Sequence, residues 1–298
     1  MPTQTGTATD PIDLLDKLRL FAASNGYTVN RWAEEITDRW NLNLTKDGKF
    51  YNFQARNDTD SIYLSLSTAY SNVNWGLQTD DSGATVSVYA NAIGGPFPSY
   101  FFYVDSLAFH CVIEASAGVY RHINFGRLIK YGAYTGDEYI CGHVWSTSAT
   151  DIDVPRDNAH SIGFSDYYSS GTSGRGGVVR ADHTGLSPNW AGFGHQSGIG
   201  NQAIGNIWGG TNVYLLRDSP NTINEVTPLL PIRVYVNDTS DTFFKIGEVS
   251  GMRCCDISNI NPEEVILANW KIFPVCAKNG AVDQYNSGTY GIAYDTSV

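Results

Sequence analysis

Three pairs of neighbouring carboxylates are the residues of this 298-residue chain best suited to chemistry: Asp80-Asp81, Asp137-Glu138, and Asp151 with Asp153. Hydrolysis of a glycosidic bond needs two carboxyl groups about 5–10 Å apart, one to donate a proton and one to attack or to activate water. Each pair lies in a turn-like stretch, and 7 Trp and 18 Tyr are available to stack on sugar rings. A polysaccharide depolymerase is one reading of these residues, and a sugar-binding tip without catalysis is another. The plainer reading is that adjacent acids in turns are solvated charges.

The six histidines, His110, His122, His143, His160, His183 and His195, are scattered. A zinc site wants converging ligands, often two at close spacing on one element, and no pair here has that spacing. No metal ligand and no cofactor are therefore expected. Cys111 beside His110, or with His122, has the residue types of a nucleophile and its base. Its neighbours Phe109, Val112 and Ile113 instead mark a packed strand, where a thiol acts as a small hydrophobe. No G-x-S-x-G elbow occurs, and the glycines of 198–205 lack the strand-to-helix frame that phosphate-binding loops need. The sequence thus assigns no catalytic residue.

Bulk composition narrows the classes further. Charged residues make up 16% of the chain, against about 25% in an average soluble domain. The formal net charge is −11, without a cluster of Lys and Arg, so direct nucleic-acid binding is not expected. The first ten residues lack the basic and apolar regions of a signal peptide. No apolar run approaches the roughly 20 residues of a membrane helix, so membrane insertion is not expected. The five cysteines, Cys111, Cys141, Cys254, Cys255 and Cys276, show no C-x-x-C spacing. Their pattern fits a reducing cytoplasm, where the N-x-T triplets at Asn43, Asn57 and Asn237 carry no glycan.

The elements that would position these residues are mostly strands. One helix is expected near the start: Asp10 is an N-cap, Pro11 suits the first helical position, and Leu14, Leu15, Leu18, Phe21 and Ala22 form one stripe. Gly26 stops it. A second short helix is expected over Asn30–Thr37, where Trp32 and Ile36 stand four apart. These give a helical N-terminal segment, 1–38, ahead of a β-rich structural domain, 39–298. From Gly48 onward the pattern is β, with strands at 50–55, 61–67, 85–90, 100–104, 107–115, 119–125 and 139–144. Tyr134–Asp137 reads as a turn. Residues 166–205 are a Gly-rich excursion containing one short strand, Gly177–Arg180. Strands resume at 212–217, 232–236, 243–246, 252–256 and 287–294, and the mixed run 264–275 is strand-like. The fold class is mainly β, an antiparallel β-sandwich or open barrel with the helical segment attached.

Four stretches carry a family resemblance: FFYVDSLAFHCVIE, GVYRHINFGRLIKYGAYTGDEYICG, GEVSGMRCCDISNINPEEVILANWKIFPV and GIAY. Together they cover roughly a third of the chain and resemble virion structural proteins of tailed bacteriophages. The resemblance implies a virion location, in tail, baseplate or neck, with assembly in the host cytoplasm and no enzymatic site. The partners it implies are copies of the chain itself and other virion proteins, in a symmetric ring or cap. A receptor- or carbohydrate-binding tail module is the alternative. Edge strands, the N-terminal helix and the 166–205 excursion would make the contacts. The expected interface residues are Leu14, Leu18 and Phe21 on the helix and Trp190 and Phe193 in the excursion, each of which could equally be intramolecular core. Deleting 1–26 is expected to weaken assembly more than folding.

Overall fold

The computed structural model describes residues 1–71, 75–80, 95–142, 177–182, 190–193, 202–205, 227–237, 243–274, 277–278 and 290–297. In chain order the elements are β1 (Thr3–Ala8), α1 (Pro11–Ser24), β2 (Thr28–Ile36), β3 (Arg39–Lys46), β4 (Lys49–Arg56), β5 (Ser61–Ser67), β6 (Phe97–Val104), β7 (Ala108–Ser116), β8 (Val119–Lys130), β9 (Thr135–Gly142), β10 (Gly177–Asp182), β11 (Trp190–Phe193), β12 (Gln202–Gly205), β13 (Leu230–Asn237), β14 (Phe243–Asp256), β15 (Val265–Ile266), β16 (Trp270–Pro274) and β17 (Tyr290–Asp295). The fold is mainly β, as the alternation in the sequence requires.

The helix α1 forms where its caps direct. The Asp10 side chain accepts from the Asp13 N–H at 2.9 Å, and the Asp13 carboxylate accepts from the Thr9 N–H at 2.8 Å, so two orphan donors are satisfied. Asn25 donates its backbone N–H to Ala22 O, and Gly26 follows at φ +84°. No described helix is long and apolar enough to cross a membrane.

The second expected helix is absent: Asn30–Thr37 lies largely in β2, paired antiparallel with β3. The four-residue spacing of Trp32 and Ile36 misleads because β2 is an edge strand with register shifts between Val29 and Arg31 and between Glu34 and Ile36. Each shift resets the two-residue alternation, so apolar positions drift off period. The segment 1–38 is therefore a strand, a helix and half of a hairpin. Residue 38 sits in the β2–β3 turn, at φ +65°, and is no boundary. Two smaller corrections concern strands: 243–256 is one continuous β14, and Thr135–Asp137 already belong to β9. The run 264–275 contains a hairpin, β15–β16. The expected strands at 85–90 and 212–217 lie outside the described residues.

Two sheets result. The smaller has the order β2-β3-β4-β5. The larger has 13 strands in the order β1-β6-β7-β8-β9-β10-β11-β12-β13-β14-β17-β16-β15, with one parallel pair, β11–β12. It curls on itself, because Leu128–Lys130 of β8 also pair with Gly247–Val249 of β14. Strand alternation then supplies two cores. On β7, Phe109, Cys111 and Ile113 face a first core shared with α1 and the small sheet. Ala108 and Val112 face a second core inside the curl, with Phe273, Ile292 and Tyr294. Burying this many large side chains, each worth about 1.5–3 kcal/mol, drives the closure.

Candidate functional site

Of the three carboxylate pairs, Asp137-Glu138 is the one whose members are both described; Asp81, Asp151 and Asp153 lie outside the described residues. Neighbours on a regular strand point to opposite faces, yet both of these carboxylates reach Lys49. A β-bulge explains it. Tyr139 of β9 is opposite Val179 of β10, and Gly136 is opposite Ala181, so Asp137 and Glu138 together face Arg180 alone. The bulge needs Gly136 at φ +95°, where a Cβ would stand 2.5 Å from Arg180 O, and it holds Asp137 at φ +131°.

Both carboxylates are buried, about 1% exposed. Lys49 Nζ lies 2.7 Å from Glu138 Oε2 and 3.4 Å from Asp137 Oδ1. Arg180 donates to Glu138 Oε1 at 3.1 Å. Arg127 donates through Nε and Nη2 to Asp137 Oδ2 at 3.1 and 3.0 Å, and its Nη1 lies 3.4 Å from Asp47 Oδ2. The hydrogen bonds from Arg127 to Asp137 raise the arginine pKa despite the opposing effect of burial. Three acids thus meet three bases, so the cluster is neutral overall. A glycosidase acid must keep its proton, and its partner must face substrate. Here Lys49 of β4 and Arg180 of β10 bind both oxygens of Glu138, and Arg127 of β8 binds Asp137 Oδ2, while Asp137 Oδ1 makes no hydrogen bond and has Lys49 Nζ 3.4 Å away. The arrangement acts as a clamp that ties the β3–β4 hairpin of the small sheet to the large one.

A second polar cluster lies inside the curl, in the second core. His110 and Asn124 face each other across β7 and β8, which pair them directly. His110 Nε2 donates to Ser250 O at 2.9 Å, and Nδ1 meets the Asn124 side-chain amide at 2.9 Å. Burial, against the pull of Asp105, holds the His110 pKa below its ordinary value, so the ring is neutral at pH 7. The atom of Asn124 that faces Nδ1 is the amide oxygen Oδ1, a contact that favours a proton on the ring. The same amide stands 3.4 Å from the Tyr294 hydroxyl. Tyr294 donates to His122 Nδ1 at 2.8 Å, and His122 Nε2 donates to Pro274 O at 2.9 Å. Asp105 completes the array: its Oδ1 accepts from the N–H of Leu107 and of Ala108, and its Oδ2 accepts from Ser250 Oγ at 2.6 Å.

Cys111 stands apart from these histidines. Cys111 points to the first core while His110 points into the second, so strand alternation separates the two halves of the imagined nucleophile–base pair. Burial alone pushes the Cys111 thiol up, away from the thiolate a nucleophile requires. No group of three or more His, Cys, Asp or Glu side chains among the described residues is placed to hold a metal ion.

The expected interface residues divide. Leu14 and Leu18 are at most 1% exposed and Phe21 is 8%, all packed in the first core. Phe21 stacks on Phe102 at 5.8 Å between ring centroids. The helix face is thus intramolecular core, and its role as a subunit contact is withdrawn. Trp190 and Phe193 are the end residues of β11, which pairs with β10. Their backbone is in the sheet; the rest of the excursion lies largely outside the described residues.

Sequence reasoning singled out Asp137, Glu138, His110 and His122 but missed Lys49, Arg127, Arg180, Asn124, Ser250 and Tyr294. Arg127 was within reach, ten residues before Asp137 across a hairpin. The others are brought in by strand register at long range and leave no local signal. No protein-family model matches this chain, and no curated protein matches it either.

Proposed function

We propose that this chain is a structural component of a tailed-phage virion that self-associates into a symmetric ring or cap of the tail, baseplate or neck. One observation carries the reading. The four stretches that bear the resemblance converge on a single buried network: Asp105 and His110 from the first, His122 and Asn124 from the second, Ser250 and Pro274 from the third, and Tyr294 from the fourth. Their residue identities are spent on joining β7 and β8 to β14, β16 and β17. Such a signature specifies an architecture rather than a reaction.

The carboxylate clamp supports the same reading, because the one fully described acid pair is neutralised in place. The acidic chain would approach DNA poorly, which suits contacts with protein. The native mass of the purified full chain, followed by negative-stain imaging, tests the proposal. Uniform multimers without release of reducing ends from host polysaccharide are the expected result. A monomer that binds or cleaves host glycans would replace it with the tail-tip reading.

A further inference from the structure

Lys49 stands against two carboxyl groups at once, and the two are not equivalent. Its Nζ lies 2.7 Å from Glu138 Oε2, while the other oxygen of Glu138 is held by Arg180. Asp137 is engaged on one side alone. Arg127 donates twice to its Oδ2, whereas Oδ1 is buried, makes no hydrogen bond and lies 3.4 Å from Lys49 Nζ. A buried carboxylate oxygen left without a donor is costly. The backbone is also strained to present it, since a non-glycine residue at φ +131° is rare. The other lysine–carboxylate pairs among the described residues differ. Lys17–Asp13 and Lys271–Glu263 each join one lysine to one acid, 31% and 34% exposed, against 2% and 1% for Asp137 and Glu138.

An amine held against one buried carboxyl group, with a second carboxylate on the same nitrogen, is arranged for amide formation. We propose that Lys49 and Asp137 condense to an isopeptide bond joining β4 of the small sheet to β9 of the large one, with Glu138 as the acid–base catalyst. The approach of Nζ to the Asp137 carboxyl group is in the range from which bound groups react, about 3–3.5 Å. Glu138 Oε2 takes a proton from Lys49 Nζ. The nitrogen then attacks Asp137 Cγ, and the charge that develops on Oδ2 falls on the two N–H groups of Arg127. Next the Cγ–Oδ1 bond breaks. Oδ1 is the oxygen free to leave, because it makes no hydrogen bond. It receives the two protons that the nitrogen gives up, carried by Glu138, and departs as water. An ammonium and a carboxylate thus become one amide and one water, with no oxidant and no net proton consumed. Asp47 and Glu138 remain opposite Arg127 and Arg180, so the cluster stays neutral.

The bond closes residues 49–137 into one covalent loop. A cross-link over a loop of this length restricts the unfolded chain as a disulfide does, and this one sits where the small sheet meets the large one. No disulfide does that work among the described residues, where Cys111, Cys141, Cys254 and Cys255 are free thiols. The inference is independent of the virion reading, since a covalent tie between the sheets serves a structural part and a binding module alike.

The test is the intact mass of the full chain, purified, held folded at neutral pH and then measured after denaturation. The expected result is a mass one water below that of the sequence, with a protease fragment in which Lys49 and Asp137 are linked. Lys49→Arg keeps the positive charge but offers no attacking amine, and Glu138→Gln removes the proton carrier. Each is expected to show its full sequence mass, with far-UV circular dichroism as the check on folding. Asp137→Asn is expected to lose ammonia instead of water and to reach the same product as the wild type. A deficit that persists in Lys49→Arg arises elsewhere, as by ring closure at Asp47-Gly48, and overturns the inference. So does a wild-type chain of full sequence mass. If Lys49→Arg loses structure, the linked fragment of the wild type decides: its presence sustains the bond and its absence overturns it.

Discussion

His122 and Tyr294 are 172 residues apart in sequence, yet the phenol hydroxyl lies 2.8 Å from the imidazole Nδ1. Both are fully buried. The bond is one step of a chain that begins at Ser250 O, passes through His110, Asn124, Tyr294 and His122, and ends at Pro274 O. The ring nitrogens of both histidines and the Tyr294 hydroxyl each have a partner inside the curl, while the Asn124 Nδ2 has none. Such partners let a β-sandwich carry polar residues at its centre without losing a unique packing.

Tyr294→Phe removes one hydroxyl from this chain and changes little else in shape. His122 Nδ1 and Asn124 Oδ1 then each lose the hydroxyl they face. Leaving buried groups unpaired costs about 1–3 kcal/mol. The expected outcome is a lower urea midpoint with an unchanged slope. An unchanged midpoint would show that the network contributes nothing to stability.

Glu138→Gln tests the clamp. Glu138 Oε2 and Oε1 accept from Lys49 and Arg180, and an amide keeps the shape while removing the charge. The cations are 19% and 23% exposed, so water compensates in part, and the expected loss is about 2 kcal/mol. A Lys49→Met/Glu138→Gln double variant should lose less than the sum of the singles, because the two residues act on one interaction. Additive losses in a double-mutant cycle would show that the pair is uncoupled.

How far the sequence spoke depended on the distance over which each feature is encoded. The helix α1 was legible because Asp10, Pro11 and Gly26 act within one turn of themselves. β5 was legible to the residue because Ile62, Leu64 and Leu66 alternate without interruption. β2 was not, since its register shifts break the alternation and its polar faces give no stripe. The Asp137-Glu138 pair drew attention by type, but its meaning lies in Gly136, which allows the bulge, and in Lys49 and Arg180, which other strands deliver. The buried relay was invisible for the same reason. His110 and His122 carry no mark of the Tyr294 and Ser250 that satisfy them.

Deletion of residues 1–26 should destroy the fold rather than spare it. Leu14, Leu15 and Leu18 are at most 1% exposed in the core shared by both sheets, and the deletion also takes β1 from β6. The milder variant Leu18→Ala leaves a cavity there, and the expected cost is about 2–5 kcal/mol. Thermal denaturation of Leu18→Ala measures it. A shift within error of zero would return the helix face to solvent or to a neighbouring subunit.

Acid should weaken the wild-type fold through His110 before it reaches the carboxylates. The folded-state pKa of His110 is lowered, chiefly because the ring is buried, although Asp105, Asn124 and Ser250 all favour the proton. Besides these, Tyr294 is the titratable ring packed on it, from β17. In the unfolded chain the ring titrates near its ordinary value, about 6.5. Between that value and the lower folded one, the unfolded state binds more protons, so stability rises with pH across the window and is lost as pH falls through it. The group therefore adds its full contribution above about pH 6.5. Replacing it with an amide, His110→Gln, keeps a hydrogen-bonding side chain and removes the titration. Denaturant midpoints at pH 7.5, 6.5, 6.0 and 5.5 should fall more steeply for the wild type than for His110→Gln. Parallel curves would mean that His110 binds its proton equally in both states, and the neutral relay drawn through Asn124 and Tyr294 would then be wrong.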